Sequence, residues 1–300
     1  MKKKFNTKVI HSGHGPDKET GAVMPPIHLS STFKQMEPGN FEYEYARTKN
    51  PSRDVLEKLL AQIESGDKAF AFASGMSAIN TVCDLFGTNY HIVCSDDVYG
   101  GTRRLFDKVK SNIDVTYIDF DKNINWNDEI KENTKFIWIE TPSNPLLKLV
   151  DIKEIADLSK SNGLISFIDN TFATPLLQKP HKLGIDIILH SATKYFGGHS
   201  DICAGAVAST SEHREIIWNL SKNIGGSLSD YTAWLLERSM KTLSVRFFAQ
   251  QKNAVELANY LKDCQSIDKI YYPGLASHPG HDIAKKQMDG FGAVISFELN

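Results

Sequence analysis

The chain has 300 residues, 41% of them hydrophobic, with 34 Lys and Arg against 36 Asp and Glu and a formal net charge of −2. That length can bury a large core and suits one large domain plus a smaller one. The mixed, nearly balanced charge argues against nucleic-acid and membrane partners. The Lys2-Lys3-Lys4 run has polar residues behind it, and no run approaches the roughly eighteen apolar residues of a spanning helix. Neither a signal peptide nor a membrane anchor is therefore expected. Cys83, Cys94, Cys203 and Cys264 form no C-x-x-C pair. The expectation is four buried small hydrophobes in a reducing cytoplasm, with no zinc site or disulfide framework.

Residues 1–50 are rich in Gly, Pro, Ser and Thr and read as an extended arm. From Pro51 the pattern becomes helical, with Val55, Leu56, Leu59, Leu60 and Ile63 on one face. Short apolar runs follow at 68–72, 91–95, 115–119, 136–140, 164–169, 185–190 and 204–208, most of them separated by helical stretches. Continuous rather than alternating apolar strands are what a sheet buried on both faces requires. The fold class is therefore α/β, with a mostly parallel seven-stranded sheet. Asp151 and Glu154 make a cap-like start for a helix over 151–161. From about 236 the rhythm changes to a long helical stretch (246–264), a Pro/Gly loop (271–281) and one clear strand, AVISFEL. The predicted organisation is an arm over 1–50, an α/β domain over 51–240 and the start of a smaller α+β domain over 241–300.

Ligands of open parallel sheets bind outside the carboxyl ends of the strands. Those ends carry Ser74-Gly75-Met76, Asp96-Asp97, Glu140-Thr141-Pro142, Asp169-Asn170 and Ser191-Ala192-Thr193-Lys194. A phosphorylated pyridine cofactor needs a carboxylate that keeps its ring nitrogen protonated, and Asp169 can fill that role or simply cap a turn. It also needs a lysine to form an imine. Lys194 suits this because it sits between a buried strand and Gly197-Gly198. Phosphate needs hydroxyls and N–H groups at a helix start, which Ser74-Gly75-Met76, Ser191 and Thr193 would supply. Tyr99 could stack on the ring or pack as an ordinary aromatic. Arg103 and Arg104 open the next helix, where cations are unfavourable, so they hint at a bound anion unless both are simply solvated. His11 with His14, and His278 with His281, lack a third ligand on a helix, so no metal is expected. No G-x-G-x-x-G or P-loop pattern occurs.

FEYEYARTKNPSR (41–53), FASGMSAI (72–79), DDVYGGTRRLF (96–106), ETPSNPLLKLVDI (140–152), DNTFATP (169–175), HSATKYFGGHSD (190–201) and YYPGLASHPGH (271–281) together resemble the Cys/Met-metabolism enzymes dependent on pyridoxal 5'-phosphate (PLP). The resemblance runs along essentially the whole chain. It implies the type I fold of PLP-dependent transferases, with Lys194 as the imine lysine and Asp169 as partner of the pyridine nitrogen. Gly75, Met76, Ser191 and Thr193 would hold the phosphate, and Tyr99 would stack on the ring. Asn144 would sit by the ring hydroxyl and the substrate carboxylate. Tyr45 and Arg47 match a pair that reaches a neighbouring subunit's phosphate, which implies a homo-oligomer sharing active sites between subunits, usually a tetramer. Arg104 matches an arginine typical of the cystathionine enzymes. Departures occur at Ala46, Lys49, Phe196-Gly197 and Ser239.

The implied chemistry acts at Cγ of a homoserine-derived amino acid. Lys194 removes the α-proton, and Tyr99 assists as acid or base. Gly101 stands where methionine γ-lyases carry a reactive cysteine, and Arg104 suits a second substrate carboxylate. The leading expectation is cystathionine γ-lyase, with cystathionine γ-synthase as the alternative. Relatives continue past the position of Asn300 with further substrate-site residues. A cofactor-binding chain with little activity is thus a third expectation, and a chance match on a protein without PLP a fourth.

Overall fold

A computed structural model describes residues 4–119 and 125–300; Lys2 and Lys3 of the basic run lie outside them. The strands are β1 (Lys68–Phe72), β2 (His91–Ser95), β3 (Asp114–Ile118), β4 (Thr134–Glu140), β5 (Ile165–Asp169), β6 (Ile187–His190), β7 (Gly205–Ser209), β8 (Ile267–Tyr271) and β9 (Ser296–Leu299). The first helices are α1 (Phe5–His11), α2 (Pro51–Glu64), α3 (Gly75–Cys83), α4 (Gly100–Arg104) and α5 (Ile152–Ser161). They are followed by α6 (Thr174–Leu177), α7 (Pro180–Leu183), α8 (Ser211–Ile224), α9 (Asp230–Met240), α10 (Leu243–Lys262) and α11 (His281–Gln287). Seven strands line up in the order β1-β7-β6-β5-β4-β2-β3. β2 runs parallel to β3 and β4, β4 runs parallel to β5, and β1 is antiparallel to β7. The α/β sheet predicted from the apolar runs is therefore present. β8, which the sequence pattern does not announce, pairs with β9 in a separate antiparallel ribbon. Its IDKIY carries an adjacent acid and base and is only half-buried, so it gives no apolar run to detect.

By contacts the chain divides into two compact units. One comprises Met1–Leu85 and Leu189–Leu243, the other Phe86–Ile188 and Ser244–Asn300. In the first, the Asn50 side chain caps α2 by accepting from the Ser52 N–H at 2.8 Å, and Pro51 begins the first turn. Leu56, Leu59, Leu60 and Ile63 are all buried, as the spacing predicts. Beside them, Glu57 Oε1 accepts the N–H of Ala71 at 3.0 Å and so uses an edge-strand donor of β1. Burial pushes the Glu57 carboxyl up to about 7, with Arg53 opposing the shift.

In the second unit, the cross-strand pair Trp138 and Phe167 stacks at 3.4 Å between centroids, with Phe106 edge-on to Trp138 at 5.3 Å. This aromatic ladder is the core under the strand ends that carry Glu140 and Asp169. Asp151 caps α5 by accepting from the N–H groups of Lys153 and Glu154. Around the ribbon, Tyr272 packs with Ala254 and Ala258 and donates its hydroxyl to the Gly292 carbonyl at 3.1 Å.

Cys83 and Cys94 are buried, but Cys203 is exposed and Cys264 is half-buried, which corrects the expectation of four core cysteines. Cys203 lies in the loop just before β7, where no second layer covers it. Among the described residues, no helix is long and apolar enough to cross a membrane.

Candidate active site

The first unit contains the lysine and the predicted phosphate donors. Ser74 caps α3, its Oγ accepting from the Ser77 N–H at 3.0 Å, which leaves the first-turn N–H groups of Gly75 and Met76 aimed out of the helix. A Cβ on Gly75 would stand 3.2 Å from the Ser191 Cβ and 3.3 Å from its Oγ. Gly205 makes a closer approach still: its Cβ would collide with the Ser74 carbonyl and come within 2.9 Å of the Gly75 nitrogen. The start of β7 thus touches the start of α3 backbone to backbone, and Ser191 lies over the same helix end.

From Ser191 the chain makes a tight turn. The N–H of Lys194 donates to Ser191 O at 3.1 Å, that of Gly197 to Ala192 O at 2.8 Å, and that of Gly198 to Lys194 O at 2.7 Å. Gly198 has φ +73, a conformation that any other L-residue would hold under strain. The Thr193 hydroxyl donates to the Ala204 carbonyl at 3.1 Å and accepts the Ala204 N–H at 3.0 Å, fixing the turn to the start of β7. Below it, buried His190 pairs with buried Glu64 and packs against the Phe196 ring at 4.6 Å. The Lys194 side chain is exposed on this braced turn. Tyr45 and Arg47 lie apart from it on the arm. The Arg47 guanidinium stacks on the Tyr45 ring at 5.5 Å and donates to the Lys222 carbonyl in the last turn of α8.

The second unit contains the carboxylates. Glu140 and Asp169 end neighbouring parallel strands in direct register. Asp169 Oδ1 accepts from the Thr171 N–H at 3.0 Å and the Thr171 hydroxyl at 2.5 Å, two donors that favour its charged form. Glu140 is buried, and its Oε2 accepts the Tyr99 N–H at 2.7 Å. The Asn144 backbone N–H acts on the same carboxyl, opposing the upward shift of its pKa. Burial first, then Asp169 and Asp97, push Glu140 well above the usual carboxylate range. Asp97 Oδ2 accepts from the Ser143 hydroxyl and, at 3.1 Å, from the Leu146 N–H. Tyr99, Asn144 and Asp169 are thereby gathered in one unit. Sequence reasoning notes Glu140 and Asp97 as strand-end acids but gives them no role. The available signal is two acids, in DDVYGG and ETPSNP, each directly beside a site motif.

The two arginines of α4 separate. Arg103 pairs with Asp107 at 2.9 Å and lies over the Tyr117 ring at 3.5 Å, so it is a local structural group and not the anion site its position suggested. Arg104 has no ion-pair partner among the described residues. Its Nη1 lies against the Gly100 backbone, where an added Cβ would meet it at 3.2 Å, beside Tyr99. No cluster of three or more His, Cys, Asp or Glu suited to a metal occurs among the described residues.

The donor sets suit the chemistry of PLP. The cradle of N–H groups and hydroxyls beside Lys194 matches a phosphate and a carbonyl, and the Thr171-braced carboxylate of Asp169 matches a pyridinium.

Comparison with known proteins agrees. The family model described as Cys/Met metabolism PLP-dependent enzyme matches residues 6–300. Cystathionine beta-lyase of Lactococcus lactis subsp. cremoris (strain MG1363) is 50% identical over 299 residues, covering 98% of this chain and 79% of that protein. Cystathionine gamma-lyase of Bacillus subtilis (strain 168) is 46% identical, covering 100% and 79%. The crystal structure of cystathionine gamma-lyase from Lactobacillus plantarum complexed with L-serine superposes with a TM-score of 0.97 at 48% identity, covering 99% and 79%. Relatives named cystathionine gamma-synthase match as well. The chain belongs to the Cys/Met metabolism family of PLP-dependent enzymes, among its cystathionine lyases and synthases.

Proposed function

We propose that the chain is a cystathionine γ-lyase, which splits the Cγ–S bond of cystathionine and, with water, yields cysteine, 2-oxobutanoate and ammonia. The observation that carries this reading is the divergence of the two arginines: Arg103 is spent on Asp107 and Tyr117, while Arg104 is left at the Tyr99 turn for a second substrate carboxylate.

When bound, PLP supplies a sink for the electron pair left at the substrate's Cα. Lys194 anchors the cofactor, and its Nζ takes the proton from Cα and then serves Cβ. Asp169 keeps its charge through the two Thr171 donors and so holds a proton on the ring nitrogen. Gly75, Met76, Ser191 and Thr193 orient the phosphate. Asn144 orients the substrate carboxylate and the ring hydroxyl. The Tyr99 hydroxyl delivers a proton to the departing sulfur. Tyr45 and Arg47 serve a second copy's phosphate in a homo-oligomer, with the tetramer as the working assembly, and the cytoplasm is the setting.

A second reading, cystathionine β-lyase, is favoured by the 50% identity to the Lactococcus enzymes of that name. It breaks the Cβ–S bond and yields homocysteine, pyruvate and ammonia. The test is product analysis of the purified, yellow protein given cystathionine. 2-Oxobutanoate with cysteine supports the γ-lyase, and pyruvate with homocysteine replaces it by the β-lyase. Cystathionine formed from an acylated homoserine and cysteine, with no cleavage, points to the synthase. A yellow protein that turns over none of these overturns all three.

A further inference from the structure

Glu140 has no role in the proposed chemistry, yet it touches every predicted ring-side residue of its unit. It accepts the backbone N–H of Tyr99 from a turn 41 positions earlier, and the backbone N–H of Asn144, from the loop that follows it, acts on the same carboxyl. On the neighbouring strand its partner in register is Asp169. The same face of β4 and β5 carries the stacked Trp138 and Phe167 two residues below, so the two carboxyls stand at the end of an aromatic ladder and not in water. Residues opposite each other on adjacent strands are only about 5 Å apart. The largest influences on Glu140 besides its burial are the acids Asp169 and Asp97 and the backbone N–H groups of Tyr99 and Asn144. Two carboxylates in such a setting do not both ionise cheaply. Asp169 Oδ1 accepts both the Thr171 N–H and the Thr171 hydroxyl, while Glu140 is buried facing Asp169 and Asp97 together.

We propose that Glu140 is a positioning residue: as a neutral carboxylic acid it holds the Tyr99 turn and the Asn144 loop on one group and leaves Asp169, its partner in register, as the charged member of the pair. This rests on the PLP reading, in which Tyr99, Asn144 and Asp169 face the cofactor ring. A neutral acceptor is replaceable by an amide of the same shape, whereas an ionised one is not. Removing the acceptor leaves the Tyr99 N–H without its partner and loosens the Tyr99 turn and the Asn144 loop, an expected loss of about tenfold in cofactor affinity.

The experiment compares wild type, Glu140→Gln and Glu140→Ala by PLP dissociation constant, by pH titration of the visible cofactor band, and by the infrared band of protonated carboxyl groups at neutral pH. Glu140→Gln is expected to keep the dissociation constant within about threefold and the titration midpoint unchanged, and to lack one protonated-carboxyl band that wild type shows. Glu140→Ala is expected to lose about tenfold in cofactor affinity and to shift the midpoint. An alanine variant indistinguishable from wild type, or a glutamine variant as weak as the alanine, overturns the proposal. Should the alanine variant fail to fold, the infrared comparison of wild type with Glu140→Gln decides alone: an unchanged protonated-carboxyl signal overturns it. A wild-type protein that shows no cofactor band sinks the PLP reading itself, a result separate from any difference among the variants.

Discussion

The predicted site residues of the two units carry opposite kinds of polar group. In the first, the predicted phosphate donors are main-chain N–H groups and hydroxyls, held so closely that Gly205 has no room for a side chain and Gly75 little. In the second, the predicted ring-side residues hang on carboxyl groups, with Asp97 and Glu140 collecting N–H donors and Asp169 braced by Thr171. An anion with a fixed shape is well served by rigid dipoles that cost nothing to reorganise. A protonated ring nitrogen needs a full charge whose ionisation the neighbours control. The first unit is thus vulnerable to changes of shape, the second to changes of charge.

The severest break is Lys194→Ala. It should abolish the borohydride-sensitive visible band and lower turnover at least about a thousandfold, while the far-ultraviolet circular dichroism stays that of wild type. Gly205→Ala tests whether shape alone governs the cradle. Its methyl group enters the Ser74 carbonyl, so a stability loss of about 3 kcal/mol and weaker PLP binding are expected, measured by urea melts and fluorescence titration. Normal binding in this variant would mean that the cradle is not where the phosphate goes.

Glu57 sharpens the contrast, because it is a buried carboxyl of the first unit that touches no predicted site residue. Its folded pKa of about 7 lies above the ordinary 4.5, so the folded chain holds the extra proton between those values and stability falls as pH rises through that interval. The full difference is worth about 3 kcal/mol at most. Melting temperatures of wild type should therefore drop relative to Glu57→Gln from pH 5 to pH 7.5, with no change in PLP affinity. The smallest effect expected is on substrate recognition. Arg104→Ala should raise KM for cystathionine about tenfold to thirtyfold with kcat little altered, and Arg103→Ala should leave KM unchanged. Equal effects from both arginines would remove the basis for a second carboxylate site.

The sequence reveals most where one physical demand dominates. Strands of a buried sheet are continuously apolar, so β1 to β7 are all legible within a residue or two. The Lys194 turn is legible because Gly197 and Gly198 answer a steric need that local sequence displays. β8 hides because a half-exposed two-stranded ribbon tolerates Asp268 and Lys269 side by side. Arg103 and Arg104 are indistinguishable as letters; only the approach of Tyr117 from β3 assigns one of them to structure. Glu140 hides for the same reason, since the donor it accepts comes from a distant turn.

The contact of Gly205 with Ser74 also bears on how such an enzyme changes over evolutionary time. Where main-chain atoms supply the predicted phosphate donors, side-chain substitutions nearby are expected to leave cofactor capture intact, while Gly205, whose Cβ would meet the Ser74 carbonyl, is expected to tolerate none. The exposed Arg104 side chain sits on a separate turn, where its substitution is expected to alter substrate choice before cofactor capture. A lineage built this way can exchange one sulfur amino-acid reaction for another through small steps that each keep a PLP-loaded protein. Relatives at 42–50% identity that bear three different reaction names are the diversity such an architecture permits.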